Sequence, residues 1–198
     1  RGGLTAVLEL GVLVSGSGTN LQAILDAVAG GELDARVRIV VSNKPGVLAL
    51  ERAERAGVPS LVIRHQDFGT REDFDHELVS ALQGAGARLV VLAGFMRVLT
   101  PGFLRAFPGR VVNIHPSLLP SFPGVRAQAQ ALAHGVKVTG CTVHFVDEGV
   151  DTGPIIAQRA VPVLDADTAT TLTTRILEQE HSLLVEALRR LAARQEPG

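Results

Sequence analysis

Val7-Leu8-Glu9-Leu10-Gly11-Val12-Leu13-Val14-Ser15-Gly16-Ser17-Gly18-Thr19-Asn20 runs from an apolar segment into a loop of glycines and small polar residues. Leu21, Ile24, Leu25 and Val28 then recur at the spacing of one helix face. Strand, glycine loop, helix is the order of a βα unit, and the chain repeats it. Val37 to Val41 reads as a strand, Ser42 to Gly46 as a loop, and Val47 to Ala56 as a helix stopped by Gly57. A short strand follows at Ser60 to Ile63, then a helix over Thr70 to Leu82 with Phe74, Leu78 and Leu82 on one face, closed by Gly84 and Gly86. Arg88 to Ala93 is the next strand, and Thr100-Pro101 opens a short helix to Phe107 in cap-then-proline order. Such alternation predicts an α/β fold, a mostly parallel twisted sheet with helices on both faces.

After Arg110 the rhythm changes. Arg126 to His134 reads as helical, and Val138 to Phe145 and Ile155 to Val163 as two strands joined by a nine-residue linker, Val146 to Pro154. That linker length suits an antiparallel addition to the sheet, for about seven strands in all. Asp167-Thr168 caps a final helix reaching about Ala193, with Leu172, Ile176, Leu183 and Leu184 toward the core. All 198 residues are expected to form one domain.

Lys+Arg number 19 against Asp+Glu 20, a formal charge of -1, and the positives are scattered. No basic footprint for nucleic acid or an anionic membrane surface appears. Mean hydropathy is +0.26, yet no apolar run reaches the roughly 20 residues that cross a bilayer. Arg1-Gly2-Gly3 shows no apolar stretch of a signal peptide, and Cys141 is the single cysteine. A soluble, cytoplasmic protein without disulfides is the expectation.

The chemistry concentrates at Asn113-Ile114-His115-Pro116-Ser117-Leu118-Leu119-Pro120. Arg110-Val111-Val112 enters it as a buried strand, and the prolines are expected to end regular pairing beyond Asn113. Side chains at i and i+2 of an extended segment share a face, so Asn113 and His115 project together. An amide donor beside an imidazole is suited to receiving charge that develops on an attacked carbonyl oxygen. An Asx-type turn with a satisfied histidine is the competing reading.

Three further features bear on function. The loop Gly16 to Asn20 offers backbone N–H groups and the positive end of a helix dipole to a phosphate; the alternative is a tight βα turn that binds nothing. It is not a dinucleotide fingerprint, because Leu21 stands where the third glycine belongs, and no Gly-Lys-Ser/Thr of a P-loop follows. The linker acids Asp147, Glu148 and Asp151 make either a solvated turn or a loop over the edge that carries His115, where a carboxylate favours the charged ring. Glu180 falls on the apolar stripe of the last helix, four residues from both Ile176 and Leu184. It needs a partner or must lie at a wet edge, and the candidate partners are a substrate hydroxyl and an arginine such as Arg175. Cys141 lies inside a strand-like run and no Gly-x-Ser-x-Gly elbow occurs, so direct transfer is favoured over a covalent intermediate. His115, His144 and an acid lack the spacing of a zinc site, and no metal is expected.

Taken together, Ser15 to Gln22, Leu92-Ala93-Gly94-Phe95-Met96-Arg97, Asn113 to Pro120, Val143-His144-Phe145-Val146 and Asp151-Thr152-Gly153-Pro154 resemble the phosphoribosylglycinamide formyltransferase family, in its order and over nearly the whole chain. The resemblance implies a formyltransferase fold with a Rossmann-like N-terminal half. It implies transfer of a formyl group from 10-formyltetrahydrofolate to glycinamide ribonucleotide in purine biosynthesis, with folate as co-substrate. By the same resemblance Asn113, His115 and Asp151 form a catalytic trio, Gly18, Thr19 and Asn20 hold the substrate phosphate, and Glu180 contacts ribose or glycinamide. Arg71, Met96, Arg97, Val98, Leu99 and Asn113, with a loop of Asp147, Glu148, Gly149, Val150 and Asp151, contact the folate. Arg126, Gln128 and Leu177 depart from the family pattern near the substrates. The partners implied are small molecules, with the chain a monomer or homodimer. Formyltetrahydrofolate deformylase is expected to carry an extra N-terminal domain and methionyl-tRNA formyltransferase a C-terminal one. A non-catalytic nucleotide-binding module leaves Asn113, His115 and Asp151 without a shared role.

Overall fold

The computed structural model describes residues 7–194, so the reading of Arg1-Gly2-Gly3 lies outside the described residues. Seven strands form one sheet: β1 (Leu8–Val14), β2 (Ala35–Ser42), β3 (Ser60–Val62), β4 (Leu89–Leu92), β5 (Val111–His115), β6 (Val138–Phe145) and β7 (Ile155–Pro162). Their order is β3-β2-β1-β4-β5-β6-β7. The first five run parallel; β6 pairs antiparallel with β5, and β7 antiparallel with β6. Order reverses between β1 and β4, which places a crevice at the carboxyl ends of those two strands, the usual ligand position in such sheets.

Helices α1 (Thr19–Ala29), α2 (Leu48–Arg55) and α6 (Ala169–Ala193) cover one face, with α3 (Arg71–Gly84) and α4 (Pro101–Ala106) on the other. Alternation along β1 feeds both cores: Leu10, Val12 and Val14 pack with α1 and α6, and Leu13 with Phe74, Leu78 and Leu82 of α3. Gly11 admits α3 closely, since a Cβ there would lie 2.5 Å from Leu82 Cδ2. A 3-10 turn, His65–Asp67, precedes α3, and α5 (Ala127–His134) follows the central strand. Side chains start three helices: Thr70 accepts from the Asp73 amide, Thr100 from Phe103, and Thr168 from Thr171.

Two expectations need correction. Pairing does not stop at Asn113, because the first proline is residue 116; Asn113, Ile114 and His115 pair antiparallel with His144, Val143 and Thr142. Nor does α3 end at Leu82. It continues to Gly84, with Ala85 capping and Gly86 taking the left-handed turn.

Candidate active site

β5 carries Asn113 and His115 on one face, half-buried and buried respectively. His115 Nε2 lies 2.8 Å from the Phe122 carbonyl oxygen, and Nδ1 lies 3.4 Å from Asp151 Oδ2. Both neighbours are acceptors, so only the doubly protonated ring offers a proton to each. The loop between is pinned from beneath: the buried Thr142 hydroxyl donates to the Ser117 carbonyl at 2.7 Å and accepts the Leu119 amide proton at 3.1 Å.

Asp151 reaches this place by a detour. β6 leaves the sheet opposite Val112, and Val146 N–H donates to the Val111 carbonyl, yet the linker turns back to bring Asp151 against His115. Oδ2 also accepts the Gly124 amide proton at 2.8 Å, while Oδ1 stands 3.7 Å from His144 Nε2. The turn is built by Asp147, whose Oδ1 accepts from the Thr152 hydroxyl at 2.6 Å and the Gly149 amide at 3.0 Å. Those bonds, the Thr152 hydroxyl first, hold its carboxyl below the ordinary value. A Cβ at Gly153 would sit 1.7 Å from the Phe145 carbonyl oxygen, so nothing but glycine fits this return path.

The glycine loop follows β1. Gly18 takes a left-handed conformation, φ 71°, and Cβ at that position would meet Ala49 Cα at 2.7 Å. Asn20, buried at the start of α1, directs Nδ2 toward Glu180 Oε1 at 3.5 Å, a long contact. Burial at 5% exposure pushes the Glu180 carboxyl up from 4.5 to about 7, and Asn20 opposes this only in part. Arg175 is therefore not its partner: that guanidinium pairs with Asp167 at 2.7 and 2.8 Å. Cys141 is a core residue whose thiol is pushed up to about 12, by burial and then by the Glu180 charge.

Beyond β4 runs the segment 93–99. Met96 and Val98 are exposed, Leu99 is buried, Arg97 lies 5.9 Å from the Phe74 ring centroid, and Arg71 donates to the Val98 carbonyl at 2.7 Å. Asp147, Glu148, Gly149 and Val150 are all exposed in the linker turn. The structure thus brings His115 and Asp151 together, with Asn113 on the same face of β5, and brings Asn20 to Glu180. Sequence reasoning missed the Phe122 carbonyl on His115, because a backbone acceptor leaves no trace in residue type.

The chain with this doubly wound sheet belongs to the formyl transferase family, whose model matches residues 9–188. It is 49% identical over 188 residues to the phosphoribosylglycinamide formyltransferase of Mycobacterium tuberculosis, covering 95% of this chain and 86% of that protein. It is 56% identical over 182 residues to the trifunctional purine biosynthetic protein adenosine-3 of Drosophila melanogaster, covering 91% of this chain. The chain spans about 14% of that longer protein's length. Glycinamide ribonucleotide transformylase 1 from Symbiobacterium toebii superposes with a TM-score of 0.94 at 53% identity, over 96% of this chain and 89% of that one.

Proposed function

We propose that the chain transfers the formyl group of 10-formyltetrahydrofolate directly to the amine of glycinamide ribonucleotide, as its relatives' names suggest. The observation that carries this reading is the Asp151 carboxylate set 3.4 Å from His115 Nδ1, beside Asn113. When the amine bonds to the formyl carbon, the carbonyl electron pair moves onto oxygen. Asn113 donates to that oxygen through its amide nitrogen, and the charged His115 ring supports it; one such donor is worth about 10² to 10³ in rate. His115 exchanges the Phe122 carbonyl for the reacting atoms, gives its own ring proton to the departing folate nitrogen as the carbonyl re-forms, and takes up the proton lost by the amine, which restores the charged ring. Asp151 keeps the ring oriented through its contact with Nδ1.

Gly18, Thr19 and Asn20 hold the substrate phosphate through backbone amides at the start of α1. Glu180 faces the ribose or glycinamide, whose polar groups complete what Asn20 leaves unsatisfied. Arg71, Met96, Arg97, Val98 and Leu99, with Asp147, Glu148, Gly149 and Val150 opposite, line the folate. Alignment of two substrates is then the main catalytic contribution.

The test is the absorbance change of the folate on formyl loss, with and without glycinamide ribonucleotide. Turnover that requires the ribonucleotide is expected. Equal formyl loss without it would mean a deformylase-like hydrolase, and ribonucleotide binding without any turnover a nucleotide-binding module.

A further inference from the structure

We infer that Arg52, on α2, is a positioning residue for the glycine loop: it holds the loop's carbonyls against α2 so that the amides turn toward the ribonucleotide phosphate. The inference rests on the reading of that loop as a phosphate site.

Three successive loop carbonyls are engaged by protein donors. Gly16 accepts from the Ala49 amide at 3.1 Å, Ser17 from Arg52 Nε at 2.7 Å, and Gly18 from the Gln22 amide at 2.9 Å. Two of the three donors come from α2, a helix of the next βα unit. Arg52 reaches further, giving Nη1 to Gln22 Oε1 at 3.3 Å, while Gln22 Nε2 donates to Asp26 Oδ1 at 2.8 Å. One planar guanidinium therefore ties the loop to both helices at a fixed angle, which a flexible ammonium cannot do.

What remains is an N-terminus with unsatisfied amides. The first N–H groups of a helix lack intrahelical acceptors, and among the described residues no side chain caps α1, whose first turn holds no acid. Gly18 in its left-handed conformation packs on Ala49 and along the Arg52 side chain, whose Cδ would lie 3.4 Å from a Cβ at Gly18. Backbone and guanidinium interlock there. The Arg52 charge reaches α6 as well, where after burial it helps lower the His181 ring below its ordinary value. Leu177, one turn earlier on α6, contributes no charge.

The experiment is steady-state kinetics with both substrates varied, on Arg52→Gln, Arg52→Lys and a loop control, Gly16→Asp. Inorganic phosphate serves as a competitive probe. Gly16 is exposed and a Cβ there meets nothing within 4 Å, so the control sets a negative charge at the loop mouth without touching packing. Both Arg52 variants should raise the ribonucleotide KM about tenfold, the scale of one charge-assisted hydrogen bond. The inhibition constant of inorganic phosphate should rise in parallel, with kcat and the folate KM within about twofold. If Arg52→Lys keeps the parent KM, charge alone matters and positioning is overturned. If Gly16→Asp weakens the ribonucleotide and both Arg52 variants do not, the inference fails and the phosphate site stands. If none of the three moves KM, the phosphate reading itself falls, and the inference with it.

Discussion

The Ser15 hydroxyl accepts the Met96 amide proton at 2.9 Å and donates to Asn43 Oδ1 at 2.6 Å, with Ser15 and Asn43 both buried. The end of β1, and with it the start of the glycine loop, is thereby bolted to the segment 93–99 that follows β4. Ser15→Ala keeps the volume and strands the buried Asn43 oxygen and the part-buried Met96 amide, at a cost of about 1–3 kcal/mol. Thermal unfolding should show that loss, and the folate KM should rise more than the ribonucleotide KM. Equal effects on both substrates would argue that Ser15 serves stability alone.

Asp151→Asn preserves shape and removes the charge facing His115 and His144. We expect kcat to fall about 10²-fold or more, with modest change in either KM. Asp147→Asn is the contrast, since Asp147 shapes the turn through Thr152 and Gly149 and makes no ion pair with His115. Its effect should appear in the folate KM with kcat nearly kept. Kinetics of the two variants side by side decide the matter, and similar kcat losses in both would remove Asp151 from its special place.

Glu180 makes stability depend on pH in a sense that can be signed. Its carboxyl titrates at about 7 when folded against 4.5 as the ordinary value, so between those limits the native state holds a proton that the unfolded chain has released. Stability from this group is full below 4.5 and is lost as pH rises toward 7, by an upper estimate of about 3 kcal/mol. Glu180→Gln should therefore melt at nearly the parent temperature at pH 4.5 and clearly above it at pH 8. Binding of the ribonucleotide should weaken in the same variant. Melting curves that stay superimposed across this range would contradict the buried, proton-holding carboxyl.

Cys141 takes no part in this scheme. With its thiol pushed to about 12, almost none is thiolate at pH 8. Iodoacetamide should leave the folded protein unmodified at that pH, and Cys141→Ala should retain its kcat. Initial-rate patterns should intersect; parallel lines, or a formylated protein seen by mass spectrometry, would defeat direct transfer.

Much of the architecture was readable because it repeats. The 3.6-residue recurrence of Leu21, Ile24, Leu25 and Val28 and the apolar runs of β1, β2 and β4 give local signals, and Thr100-Pro101 marks its helix start without tertiary help. The pairing of Asn113 with His115 was also local, since alternation along a strand follows from backbone geometry. What escaped depends on contacts between distant segments. The Arg52 bond to the Ser17 carbonyl crosses 35 residues, and no periodicity on α2 distinguishes Arg52 from Arg55. The β5 extension through His115 was misjudged because it depends on β6 arriving antiparallel.

The contact between Asn20 and Glu180 spans 160 positions of sequence. A growing chain that has completed the glycine loop still lacks Glu180, because α6 is the last of the described elements to emerge. Loops closed over such separations form late, after the local βα units are already in place. Ribonucleotide added to a refolding mixture should therefore leave the early phases unchanged and stabilise only the product in which α6 has docked, making the ligand a reporter of the final folding step.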